Sequence, residues 1–198
     1  GLPIDKLVVS SNKNDILTRF FKTGKMSIKE TQKSLSPSMD IQVSSNFERL
    51  LYDYYSEGKI IKKIFLELES TGKFKIPKDK LEKIKLIFES GKLDDVQTIK
   101  TIKFFKEKYD IIIDPHTAVG CSVGKKKLSK SKKRVYLATA HYAKFLGTVK
   151  KSINDDIDYP QKLMDLFNKQ EKFYTIENDL NKFKELVTKK NNNHAFPE

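Results

Sequence analysis

The sequence predicts an α/β chain carrying an inserted helical stretch. Short β-type runs, Lys6–Ser10, Ile41–Val43, Tyr109–Ile113 and Arg134–Leu137, each lead into capping residues and helix-compatible sequence. Between 58 and about 109 the apolar residues instead fall at helical spacing. Two strand ends are loaded with polar groups, Asp114–Gly120 and Ala138–Phe145. In open α/β sheets, ligands bind in the crevice beyond the carboxyl ends of strands, so chemistry is expected there.

Taken in order, Lys6–Ser10 is a compact apolar strand, and Ser11–Asp15 supplies helix N-caps. Ile16, Leu17, Phe20 and Phe21 then share one helical face until Gly24 stops the run. Residues 25–38, rich in Ser and Thr with a Ser-Pro-Ser at 36–38, read as a loop with at most a short turn of helix. Ile41–Val43 reads as a short strand. A helix start follows at once, with Ser44, Ser45 and Asn46 as caps, Glu48 completing a capping box with Ser45, and Phe47, Leu50, Leu51 and Tyr54 on the apolar face. Free backbone N–H groups, two hydroxyls, the Asn46 amide and the Arg49 guanidinium make this helix start a ready site for phosphate. Ser44 and Ser45 serve equally well as plain caps.

Three helical stripes occupy the next stretch: Ile60, Ile61, Ile64, Phe65 and Leu68; Leu81, Ile84, Ile87 and Phe88; Val96, Ile99, Ile102 and Phe105. The short connections at Ser70–Gly72 and Ser90–Gly91 predict antiparallel helices packed as a subdomain. After the isoleucine strand at 109–113, helix extends through Cys121. The basic run Lys125–Lys127 and Ser129–Lys133, with no aromatic residues interleaved to stack bases, reads as a solvated loop and not a nucleic-acid patch. Helix resumes after Phe145, breaks at Tyr159–Pro160, and returns around Leu163–Phe167 and from Glu177 onward; 172–176 is a short strand or bridge. The expected divisions are 1–57, a strand–helix part with the phosphate-binding helix start; 58–108, the helical insertion; 109–188, the remainder of the strand–helix part and C-terminal helices; and 189–198, a tail.

Lys and Arg number 39 against 26 Asp and Glu, a net +13 that comes almost wholly from lysine, since Arg19, Arg49 and Arg134 are the only arginines. A lysine-rich solvated surface accounts for this charge as well as a polyanion partner does. The single Cys121 rules out an internal disulfide and a cysteine-based zinc site, and points to a reducing, cytoplasmic setting. No apolar run approaches the roughly 20 residues that span a bilayer.

Four segments, in order, resemble the threonine synthases of the fungal and bacterial long-chain type, which are pyridoxal-phosphate (PLP) enzymes of fold type II. They are Ser11–Phe20 (SNKNDILTRF), Leu35–Leu51 (LSPSMDIQVSSNFERLL), Asp114–Gly120 (DPHTAVG) and Ala138–Phe145 (ATAHYAKF). The resemblance covers nearly the whole chain and implies a partial tryptophan-synthase-β-like domain. It implies conversion of O-phospho-L-homoserine and water to L-threonine and phosphate, with PLP accepting the carbanion electrons. The family's Gly-Asn-Phe-Gly phosphate loop and its Schiff-base lysine have no counterpart here. The chain is therefore expected to be a C-terminal portion with no catalytic residue of its own, completed by an N-terminal part of the same protein. The alternative is a degenerate fragment that binds phosphate or polyanions without catalysis.

Carried over residue by residue, the resemblance assigns Ser44, Asn46 and Arg49 to the substrate phosphate. It assigns Thr139 to the pyridine nitrogen, which a hydroxyl meets without forcing charge onto the ring. Asp114, His116, Thr117, His141 and Lys144 are candidates for supporting positions around these groups. Asp114 and Thr117 also read as helix caps. Tyr142 stands where the family usually has proline, so the turn that aims Thr139 loses a residue that pre-sets the backbone.

Overall fold

The computed structural model describes residues 3–128 and 133–192. Two compact units divide it, residues 1–159 and 160–198. In the first, strand β1 (Leu7–Ser11) leads through Asn12–Asp15 into α1 (Ile16–Thr23), which ends on Gly24 at φ 70°, a left-handed position suited to glycine. Further on, β4 (Phe88–Lys92) pairs in parallel with β1, Leu7 opposite Phe88 and Ser11 opposite Lys92. Successive strand residues face opposite ways. Val9 accordingly packs into the cluster containing Ile16, Phe20 and Phe21 of α1, while Val8 packs against Leu93, Val119 and Val123. The last two belong to α6 (Pro115–Lys127), so the two-stranded ladder is covered on both faces.

The larger core lies on the α1 side. There Phe20 and Phe21 meet Phe47 and Leu51 of α2 (Phe47–Tyr55), Ile61 and Leu68 of α3 (Gly58–Thr71), and Leu81 and Ile84 of α4 (Lys78–Lys85). Strands β2 (Lys25–Ser27) and β3 (Lys73–Lys75) form an antiparallel pair that lays Met26 and Phe74 into this core. A third cluster joins Ile102 of α5 (Asp95–Tyr109), Ala118 of α6 and Val149 of α7 (Leu146–Ile153). In the second unit, α8 (Gln161–Met164) runs into a 3-10 turn at Asp165–Asn168. The last helix, α9 (Leu180–Asn192), is capped by Asp179, whose carboxylate accepts the N–H groups of Asn181 and Lys182 at 2.9 Å.

Several local expectations are corrected. Residues 25–38 contain β2, and 58–108 contains β3 and β4 besides its helices. Gly91, read as a turn, sits inside β4 because a Cβ there would come within 2.7 Å of Val123 Cγ1; an isolated strand glycine marks such a close approach. Residues 41–43, 110–113, 134–137 and 172–176 form no strand among the described residues. β-type sequence shows only that a residue fits a pleated surface, and a ladder needs a neighbouring strand. Val135 and Leu137 are accordingly 87% and 79% exposed. Lys125–Lys127 are the last turn of α6 and not loop, and positive charge there suits the carbonyl end of a helix. Within that run, 129–132 lie outside the described residues, as do 193–198 of the expected tail.

Candidate functional site

The segment between β2 and α2 has little apolar anchorage and is held by polar groups from the end of β1. Asn12, buried just beyond the strand, donates its side-chain amide to Ser34 Oγ at 2.7 Å, Ser36 Oγ at 3.1 Å and Asp40 Oδ1 at 2.7 Å. Asn14 donates to Asp40 Oδ1 at 3.0 Å and to the carbonyl of Gln32 at 2.7 Å, and its own Oδ1 accepts the N–H of Gln32 at 2.8 Å. The buried Gln42 is tied to the N–H of Lys29 at 3.3 Å. Asn12, Asn14 and Asp40 thus form one network, and each buried polar group in it finds partners. In the sequence alone, Asn12 and Asn14 read as helix caps. The signal for the network was the density of Ser, Asn and Asp in two well-separated segments.

This polar strap delivers the chain to α2, whose first residue, Phe47, is buried edge-on against Phe20 at a centroid distance of 4.6 Å. The expected capping box is not formed. Asn46 has helical backbone angles, the N–H of Phe47 goes to the carbonyl of Ser44 at 3.1 Å, and no side chain caps the helix. As a result the hydroxyls of Ser44 and Ser45, the amide of Asn46 and the guanidinium of Arg49 make no side-chain hydrogen bond among the described residues. Ser44 is half-buried and the other three are exposed. Asn46 and Arg49 edge a groove of about 1420 Å³ between α2 and α3, floored by Ile61, Phe65 and Leu66.

Asp114 caps α6. Its side chain accepts the N–H of His116 at 2.8 Å and of Thr117 at 3.4 Å, the Nδ1–H of His116 at 2.9 Å, and the Thr117 hydroxyl. Burial by itself would push this carboxyl up, but the hydrogen bonds from His116 and Thr117 outweigh it and hold Asp114 below its usual range. The Asp114 carboxylate and Thr117 hydroxyl are therefore spent on each other. His116 Nε2 faces outward from the cap and accepts the N–H of Ser38 at 3.2 Å, while its ring lies 4.7 Å from that of Phe145.

Thr139 is exposed on a stretch without regular secondary structure and makes no side-chain hydrogen bond among the described residues. His141 caps the 3-10 turn Tyr142–Phe145, its Nδ1 accepting the N–H of Ala143 at 3.2 Å, and its ring lies 4.4 Å from that of Tyr142. Lys144 is exposed beside the Phe145 ring. Among the described residues no cluster of three or more His, Cys, Asp or Glu is placed to hold a metal ion, and no helix is long and apolar enough to cross a membrane.

Residues 117–187 match the family model described as threonine synthase, C-terminal. The threonine synthase of Pseudomonas aeruginosa is 36% identical over 195 residues, 97% of this chain and 42% of that protein. The crystal structure of PLP-bound threonine synthase from Brucella melitensis superposes with a TM-score of 0.83 at 36% identity, covering 94% of this chain and 40% of that one. The yeast enzyme gives 0.79 at 33% identity, covering 98% and 43%. The chain thus spans about two-fifths of the length of these relatives.

Proposed function

Because the chain belongs to the threonine synthase family, matching its C-terminal portion and sharing its α/β fold, we propose that it forms one wall of an enzyme converting O-phospho-L-homoserine and water to L-threonine and phosphate. The observation that carries this is the start of α2, where two hydroxyls, an amide and a guanidinium stand together without side-chain partners among the described residues. A departing phosphate dianion needs fixed positive charge and hydrogen-bond donors. Arg49 supplies the first, and Ser44, Ser45 and Asn46 with the helix's positive end supply the second.

PLP, when bound, supplies an electron sink for the substrate carbanion. On this chain Thr139 fits it, because its exposed hydroxyl has a proton to donate to an uncharged ring nitrogen and no side-chain bond that competes among the described residues. The lysine that bonds the cofactor, and the loop for the cofactor's own phosphate, then belong to the part of the family fold that this chain does not span. The lone, buried Cys121 suits a reducing cytoplasm.

The test is steady-state release of phosphate and threonine from O-phosphohomoserine by a polypeptide joining this chain to the rest of the family fold. Arg49→Ala should raise KM by about ten- to a hundredfold, the cost of one lost charge-assisted hydrogen bond. Thr139→Val should lower kcat with little change in KM. Small and equal effects of the two changes, or no threonine formed, would refute the reading.

A further inference from the structure

We propose that His116 is a positioning residue that holds the start of α2 and the turn following Thr139 in fixed relation, through the single acceptor its Nε2 offers to Ser38. The inference rests on the phosphate reading of Ser44–Arg49 only for the binding arm of its test.

His116 is 8% exposed, yet both ring nitrogens are bonded, and to different parts of the chain. Nδ1 lies 2.9 Å from Asp114 Oδ1, and an ionised carboxylate only accepts, so Nδ1 carries the proton. Nε2 lies 3.2 Å from Ser38 N, and a backbone N–H only donates, so Nε2 is bare. The two bonds specify one neutral tautomer, because each partner has a fixed role. A buried histidine that merely filled space would need neither partner from a distant segment. Here the second bond joins residues 78 positions apart.

What Ser38 belongs to gives that bond its reach. Ser36, Asp40 and Gln42, its neighbours two and four positions along the strap, are tied to Asn12, Asn14 or the N–H of Lys29. The ties to Asn12 and Asn14 anchor the strap to the end of β1, while the Gln42–Lys29 bond closes the strap on itself. The bond from Ser38 is the one side-chain hydrogen bond described between the strap and α6. Six residues further on the chain reaches Ser44, and Phe47 then locks α2 into the core against Phe20. On its other side the imidazole packs on Phe145, which closes the turn begun at His141, two residues past Thr139. One ring therefore touches the segment that leads to the phosphate groups and the segment that carries the cofactor hydroxyl. A phenylalanine at 116 would keep the packing on Phe145, but would strand both the Ser38 N–H and one acceptor of Asp114.

A pair of variants separates positioning from general support. Gln at 116 places its carbonyl oxygen near the position of Nε2 and keeps an acceptor for Ser38. Asn ends near the position of Nδ1 and keeps only the Asp114 side. Amide hydrogen exchange on the chain should show H116N losing up to about tenfold in protection at Ser38 and across 43–49, the upper range for loss of one part-buried hydrogen bond. H116Q should stay within about twofold of the parent on the same scale. Titration with inorganic phosphate, followed at the 44–49 amides, should weaken about tenfold in H116N and little in H116Q. Equal losses in both variants, or a change confined to the Ser38 amide, would overturn the proposal. If the parent chain takes up no phosphate while exchange still follows the Gln/Asn pair, the phosphate reading fails and the positioning role stands.

Discussion

Replacing Asp114 with alanine tests whether the DPHTAVG motif is chiefly a structural cap. The carboxylate is fully buried and accepts four hydrogen bonds, from the backbone N–H groups of His116 and Thr117, the His116 ring and the Thr117 hydroxyl. Loss of an N-cap alone costs about 1 kcal/mol, and each buried donor left without an acceptor adds about 1–3 kcal/mol. With the His116 ring and the Thr117 hydroxyl both stranded, D114A should lose about 3–5 kcal/mol near neutral pH, a large share of the roughly 5–15 kcal/mol typical of a domain. The loss should also depend on pH in one direction. The folded Asp114 titrates below its unfolded value because the hydrogen bonds outweigh its burial. Its contribution is therefore complete above the unfolded value, about 3.9, and fades as pH falls through the lower folded one. Urea unfolding followed by far-ultraviolet circular dichroism suits a chain without tryptophan. The gap between parent and D114A should be widest at neutral pH and narrow steadily below about pH 4. A loss under about 1 kcal/mol, or a gap that does not narrow in acid, would refute the reasoning.

Gly91→Ala should shift the urea midpoint down by the equivalent of about 1–3 kcal/mol without altering the slope, because its Cβ would meet Val123 Cγ1 at 2.7 Å. Adding Val123→Ala to it should recover part of the loss, and strictly additive losses would count against the contact. Cys121, buried in α6, has its thiol pushed up to about 11, chiefly by burial. Iodoacetamide at mildly alkaline pH should leave it unmodified until urea is added, and rapid labelling of the folded chain would contradict its placement.

The elements legible in the sequence are those whose signals are local. β1 and α1 were readable because an apolar run, a cluster of caps and a closing glycine follow one another within a few residues. The start of α2 was readable too, though the capping box expected at Ser45 is absent, because the turn at 44–47 satisfies the N–H of Phe47 with a backbone carbonyl. β4 was hidden because its only cue, Gly91 between Ser90 and Lys92, looks the same for a turn as for a strand pressed by a helix. Conversely, 134–137 read as strand from side-chain type alone, yet no strand among the described residues lies beside it.

The four segments that carry the family resemblance make the same point about the site. In the sequence they read as separate pieces, the first supplying helix caps and the other three carrying candidate ligand or supporting groups, but many of their polar groups bind one another. Asn12 and Asn14 from the first hold Ser36 and Asp40 from the second, across up to 28 positions. Asp114 and His116 from the third hold Ser38 from the second, and His116 packs on Phe145 from the fourth. Pairings at such separations leave no mark in composition or spacing, since Asn, Ser and Asp next to a helix are equally good caps. The groups left over after this mutual satisfaction, which make no side-chain hydrogen bonds among the described residues, include Ser44, Ser45, Asn46, Arg49 and Thr139 beside the Ser38 hydroxyl, Glu48 and Lys144. Polar side chains near a heavily satisfied network, yet kept out of it, are the ones free to meet a ligand. This separates the proposed ligand groups from the residues that hold them in place.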